Sequence, residues 1–141
     1  MPYLVDTDWL IDHLARAPAA EALLSALAAE GVAISIISYM EVYQGTLRSP
    51  DPAGAQANLQ ALASTVPVLP LSIAVAQRCA RLRESLRTRG RRVRPRALDL
   101  LIAATALEYQ LTLVTRNVDD YRDIPDLELY LRETGEGGTG G

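Results

Sequence analysis

A chain of 141 residues, 49% of them hydrophobic, has the apolar material for one domain with a real core and not the length for two. No apolar run reaches membrane-spanning length, and the opening MPYLVDTD has neither the basic start nor the small-residue cleavage site of a signal peptide, so a cytoplasmic protein without membrane contact is expected. The net charge of −3 is unevenly spread, and the single cysteine, Cys79, and single histidine, His13, exclude an internal disulfide and a structural zinc site; both read as packing or surface residues.

In chain order, residues 3–6 read as a strand and DWLIDHLAR as a short helix. Pro18 suits a helix start, and AAEALLSALAAEG runs as an amphipathic helix closed by Gly31. VAISI (32–36) is a β-branched strand, and Ser38 begins the helix SYMEVYQGTLR, which SPDPAG breaks. AQANLQALAS is helical, VPVLPL (66–71) is strand-like, and 72–89 is a long helix ending at Gly90. Pro95 precedes the helix RALDLLIAATALEYQ, TLVT (112–115) follows as a strand, and LELYL (127–131) is the last strand expected. Residues 1–132 thus form one domain, and the Gly-rich 133–141 is expected to be disordered. Strands alternating with helices predict a three-layer α/β/α sandwich on a mainly parallel sheet, whose strand ends and helix starts share one crevice.

Four sets of acids fall at such positions, and each has a local explanation. Asp6 ends the first strand and reads as a turn or cap residue, with Asp8 the better cap of the two. Glu41 stands three residues after Ser38, the spacing of a capping box. Asp99 opens a helix that is apolar almost all round, and a carboxylate there needs a partner, which favours a functional role. Asn117, Asp119 and Asp120 lie in the turn after TLVT. A parallel sheet brings all of them to one side. Carboxylates without histidine or cysteine are hard oxygen ligands, suited to Mg²⁺ or Mn²⁺, which neutralise the acids, activate water and stabilise the leaving oxygen of a phosphodiester.

The basic residues are all arginines, and nine of the fourteen lie in RCARLRESLRTRGRRVRPR, residues 78–96, against the single acid Glu84. For Arg78, Arg81 and Arg83 a solvated helix face explains the charge as well as any ligand does. Arg87, Arg89, Arg91, Arg92, Arg94 and Arg96 are dense enough to predict contact with an RNA backbone.

The stretches YLVDTDWLID, ISIISYMEVYQG, ALDLLIAATALEYQLTLVTRN and VDDYRDIPDLELY together resemble the PIN domain family, in particular its VapC-type toxins from bacterial and archaeal toxin–antitoxin pairs. They cover nearly the whole chain in the family's order. The resemblance implies a PIN-like fold and a Mg²⁺- or Mn²⁺-dependent endoribonuclease. It also implies a homodimer held inactive by a cognate VapB-type antitoxin, with DNA met only through that antitoxin. Carried over by position, it places catalytic acids at Asp6, Glu41, Asp99 and Asp120, with Asp6, Asp99 and Asp120 on the metal. Asp120 is preferred to Asn117 and Asp119 because the aromatic Tyr121 follows it, and Thr7 and Thr115 become supporting groups. Asp8 departs from the small polar residue usual there and adds a carboxylate. Two alternatives stand beside this: a haloacid-dehalogenase-like phosphatase, suggested by LVDTD but opposed by Leu10, the short chain and the absence of lysine, and a PIN-like module that binds RNA or protein without catalysis. Finally, the Ala- and Leu-rich LLSALAAEG and SIAVAQRCARL predict apolar faces left over for a second chain.

Overall fold

The computed structural model describes residues 2–131, so the expected disorder of 133–141 lies outside the described residues. Four short strands, β1 (Tyr3–Val5), β2 (Val32–Ser35), β3 (Val68–Leu69) and β4 (Thr112–Val114), form a parallel sheet in the order β3-β2-β1-β4. The helices are α1 (Thr7–Leu14), α2 (Pro18–Ala28), α3 (Ile36–Thr46), α4 (Pro52–Ala63), α5 (Ile73–Thr88) and α6 (Ala97–Tyr109). The expected strand at 127–131 is reduced to one bridge, Leu129 beside Leu113.

The sheet is covered on both faces because its strands alternate between two cores. Leu4, Ala33 and Leu113 point to one side, where α5 and α6 contribute Val75, Leu82, Leu86, Leu100 and Ile102. Their neighbours Val5, Ile34 and Val114 point to the other, against Trp9, Leu10, Leu23, Leu24, Leu27 and Leu59. These two cores take up the leucines of α2 and α5, while the alanines on the far faces of both helices and Ile73 of α5, 78% exposed, are left uncovered. Bulkier apolar side chains are also left unburied along α3 and its C-cap, at Ile36, Met40, Tyr43 and Leu47, a helical spacing that aligns them on one face.

The chain leaves β1 towards β2 and β3 on one side and returns to β4 on the other. The gap above β1 and β4 is therefore a topological switch point, where the carboxyl ends of parallel strands open a crevice. The two strands stay joined to their last residues, the Asp6 amide donating to the Val114 carbonyl at 2.9 Å. The segments leaving these two strands, Asp6–Asp8 and Thr115–Asn117, border that gap.

Candidate active site

Asp6 is the N-cap of α1, where Asp8 was the expected cap: one of its carboxylate oxygens accepts from the Thr7 amide at 2.7 Å. The other accepts from the Thr115 hydroxyl, also at 2.7 Å, so the acid is fixed at once from the start of α1 and from the residue that follows β4. Thr115 is fixed in turn, its hydroxyl oxygen accepting from the Asn117 amide at 3.1 Å. The turn after β4 is anchored on α1 by Arg116, which pairs with Asp12 and lies 4.0 Å over the Trp9 ring.

The capping box at Ser38 does not form. Helix α3 starts earlier, at Ile36, with Ser35 as its cap accepting from the Ser38 amide at 3.0 Å. Ser38 is thereby buried inside the helix, and Glu41 is free to accept from the Thr7 hydroxyl at 2.6 Å. That hydroxyl has one proton, which the acceptor-only carboxylate takes; Ser38, 3.0 Å away, donates to Thr7 instead. Thr7 thus ties Glu41 to the backbone that carries Asp6.

Asp6, Thr7, Asp8, Glu41, Asp99 and Asn117 line one open pocket of about 370 Å³, completed by Ile11, Gln44 and Arg48. Asp8 accepts from the Asn117 side chain at 3.2 Å across its mouth. Asp6 is buried and Asp99 half-buried, and no ion pair neutralises either among the described residues. Burial, above all, raises the Asp6 carboxyl above its ordinary range, with the Thr115 and Thr7 bonds pulling the other way and Asp99 and Asp8 adding repulsion. Asp99 is raised too, first by burial; Tyr121 offsets this and the Asp120 charge reinforces it.

The parallel α/β architecture coincides with a known fold. A family model, the PIN domain, matches residues 3–127. The chain belongs to the PIN domain family. It is 33% identical over 127 residues to Ribonuclease VapC19 of Mycobacterium tuberculosis (strain ATCC 25618 / H37Rv), covering 89% of this chain and 96% of that protein. It also superposes on a chain of VapBC2 from Rickettsia felis bound to a DNA fragment from their promoter, with TM-score 0.82 and 27% identity over 92% of this chain and 98% of that one. For DNA-bound VapBC from Salmonella typhimurium the TM-score is 0.81 at 25% identity, over 92% and 97% of the two chains. Membership of the PIN family leaves the dehalogenase-like phosphatase without support.

Within this PIN domain the acids of the last turn separate. Asn117 faces the acid pocket, whereas Asp119 and Asp120 line an adjacent cavity of about 480 Å³ with Arg91, Arg96, Arg122 and Asp123. Asp119 pairs with Arg122 at 3.0 Å, and Asp120 reaches the pocket through its charge on Asp99. The arginines separate as well. Arg96, expected on RNA, instead grips Asp123 with two bonds of 2.8 Å and donates to the Asp120 carbonyl at 2.7 Å. Arg87 pairs with Glu84, and Arg89 donates to the carbonyls of Ser85 and Asp123. Arg91 comes to 3.9 Å from Asp123, while Arg92 and Arg94 are exposed. Sequence reasoning missed Arg48, the one basic side chain among the pocket's lining residues, and the buried Tyr121 beside Asp99; an arginine four residues past Gln44, just beyond the end of the Glu41 helix, was the available signal.

The donor set fits a divalent cation. Every acidic group on the pocket is a hard oxygen donor, and among the described residues the buried Asp6 carboxylate forms no ion pair. Among the described residues no three acids are gathered as a ready-made ligand group.

Proposed function

We propose that this PIN domain is the toxin of a VapBC-type toxin–antitoxin pair, an endoribonuclease that hydrolyses RNA phosphodiesters with Mg²⁺ or Mn²⁺. The observation that carries the reading is Asp6: a buried carboxylate, held by Thr7 and Thr115 and without an ion pair among the described residues, in a pocket shared with Glu41 and Asp99. The ribonuclease name of the VapC19 relative and the toxin–antitoxin complexes among the structural neighbours support it. Asp6 and Asp99 would hold the cation, with Glu41 beside them and Asp120 approaching from the neighbouring cavity. When bound, the cation supplies charge neutralisation, water activation and leaving-group stabilisation.

The chain's own residues do the positioning. Thr7 and Thr115 keep Asp6 and Glu41 from turning away, and Asn117 holds Asp8 at the rim. Arg48, the one cation lining the pocket among the described residues, is offered to an incoming phosphate, and Arg92 and Arg94 extend positive charge beyond the adjacent cavity. The α3 stripe of Ile36, Met40, Tyr43 and Leu47 is the face for a homodimer, and a VapB-type antitoxin would bring both DNA contact and inhibition. Among the described residues no helix is long and apolar enough to cross a membrane, and a cytoplasmic site of action suits the proposed RNA substrate.

The test is cleavage of structured RNA by the purified chain with Mg²⁺ or Mn²⁺, arrested by EDTA and restored by added metal. Equal cleavage in EDTA would overturn the metal-dependent reading; RNA binding without cleavage would favour the non-catalytic module. Arg48→Ala should leave the melting temperature unchanged and flatten the log–log salt dependence of RNA binding by about 0.7, the single-strand value for one phosphate contact. An unchanged slope places the phosphate elsewhere.

A further inference from the structure

The three acids deepest in the pocket are not equally secured. Asp6 accepts two hydrogen bonds and Glu41 one, all completed. Asp99, among the described residues, accepts none that is fully formed. Its neighbour is Tyr121, which follows the turn at Val118–Asp120 and is only 1% exposed, sealed into the core with Leu4, Leu100 and Ile102. The Tyr121 hydroxyl stands beside the Asp99 carboxylate, with Asp6 and Glu41 in electrostatic range, yet it has no completed hydrogen bond among the described residues. For packing alone phenylalanine would serve better, since a buried hydroxyl left unpaired is a cost. A donor that is nearly but not fully engaged, aimed at the one acid without a holder, is suited to a state in which that acid carries full charge and a fixed direction.

We propose that Tyr121 is a positioning residue: its hydroxyl donates to the Asp99 carboxylate and holds it in the orientation that receives the divalent cation. The hydroxyl does for Asp99 what Thr115 does for Asp6. This rests on the metal-dependent reading above, and the experiment separates the two.

Mn²⁺ binding to the purified chain is measured by calorimetry, and the melting temperature is measured in EDTA, for wild type, Tyr121→Phe and Ile124→Val. Ile124 is buried in the same core segment and carries no polar group. Tyr121→Phe should weaken Mn²⁺ binding about tenfold, the scale of one hydrogen bond to a charged group, while its metal-free melting temperature stays the same or rises. Ile124→Val should lower the melting temperature and leave Mn²⁺ affinity unchanged. The proposal is overturned if Tyr121→Phe binds Mn²⁺ as wild type does, if its metal-free melting temperature falls, or if Ile124→Val weakens binding equally. Wild type that binds no Mn²⁺ would overturn the metal reading itself, and the proposal with it.

Discussion

Asp99→Asn should reduce RNA cleavage about a thousandfold or more and, without metal at neutral pH, leave the protein as stable as wild type or more so. The first half follows from the several kcal/mol a correctly held cation contributes to phosphodiester hydrolysis, at about 1.4 kcal/mol per tenfold in rate. The second follows from linkage. Burial raises the Asp99 carboxyl in the folded protein, so the fold holds that proton more tightly than the unfolded chain does. The stability gained from the protonated acid is fully present below the ordinary carboxylate range and is lost as pH rises through the raised folded value. At neutral pH the ionised group is therefore a net cost, which asparagine removes, less the small favourable interaction of a carboxylate with the first turn of α6. Melting curves should show the variant's advantage at pH 7 and its disappearance towards about pH 4, near the unperturbed value for aspartate. Asp6→Asn should behave alike, because asparagine caps helices as well as aspartate and the Thr115 hydroxyl can rotate to accept. A drop of several degrees in both variants at pH 7 would make these acids structural.

Arg96→Ala should destabilise the fold by about 2 kcal/mol, in contrast to Arg92→Ala and Arg94→Ala, which should not move the melting temperature. Arg96 is 20% exposed at its side chain and Asp123 18%, so their two-pronged pair is largely removed from water. Deleting the guanidinium leaves Asp123, among the described residues, with Arg91 3.9 Å away as its remaining cation, and releases the Asp120 carbonyl. Losing hydrogen bonds to charged partners in a partly buried setting costs about 1.5–3 kcal/mol. The damage falls on the segment that carries Asp120 and Tyr121, so cleavage should fall as well. For Arg92 and Arg94 the readout is RNA binding: each substitution should lower the salt slope by about 0.7. If Arg96→Ala melts with wild type and shifts only the salt slope, Arg96 is an RNA contact after all.

The layered architecture was legible in the sequence because it depends on short-range periodicity. The paired apolar residues Leu4–Val5, Ala33–Ile34 and Leu113–Val114 announce strands buried on both faces, and the all-round apolar α6 announces a helix against them. Composition likewise showed that any metal would meet oxygen ligands only, since the one histidine and one cysteine could not form a nitrogen–sulfur set. The PIN resemblance, carried by four stretches in order, pointed to Asp6, Glu41 and Asp99, and the structure lines one pocket with all three.

The details that turn those acids into a site depend on side chains far apart in the chain, and only the tertiary structure decided them. Whether Asp6 or Asp8 caps α1 is settled by Thr115, 109 residues away, which claims one Asp6 oxygen from just past the end of β4. Glu41 fits a capping box by spacing, but helix α3 begins three residues sooner than that box requires, and Thr7, 34 residues earlier, is its partner. Asn117 and Asp120 are three residues apart in one turn, and the turn's fold sends one to the acid pocket and the other to the cavity beside it. Arg96 looks like its neighbours in a basic run until Asp123 folds back against it. Local pattern sets which residues are buried and which helices form; the direction of a polar side chain is set by whichever partner the fold brings within about 3 Å, and sequence spacing carries no record of that.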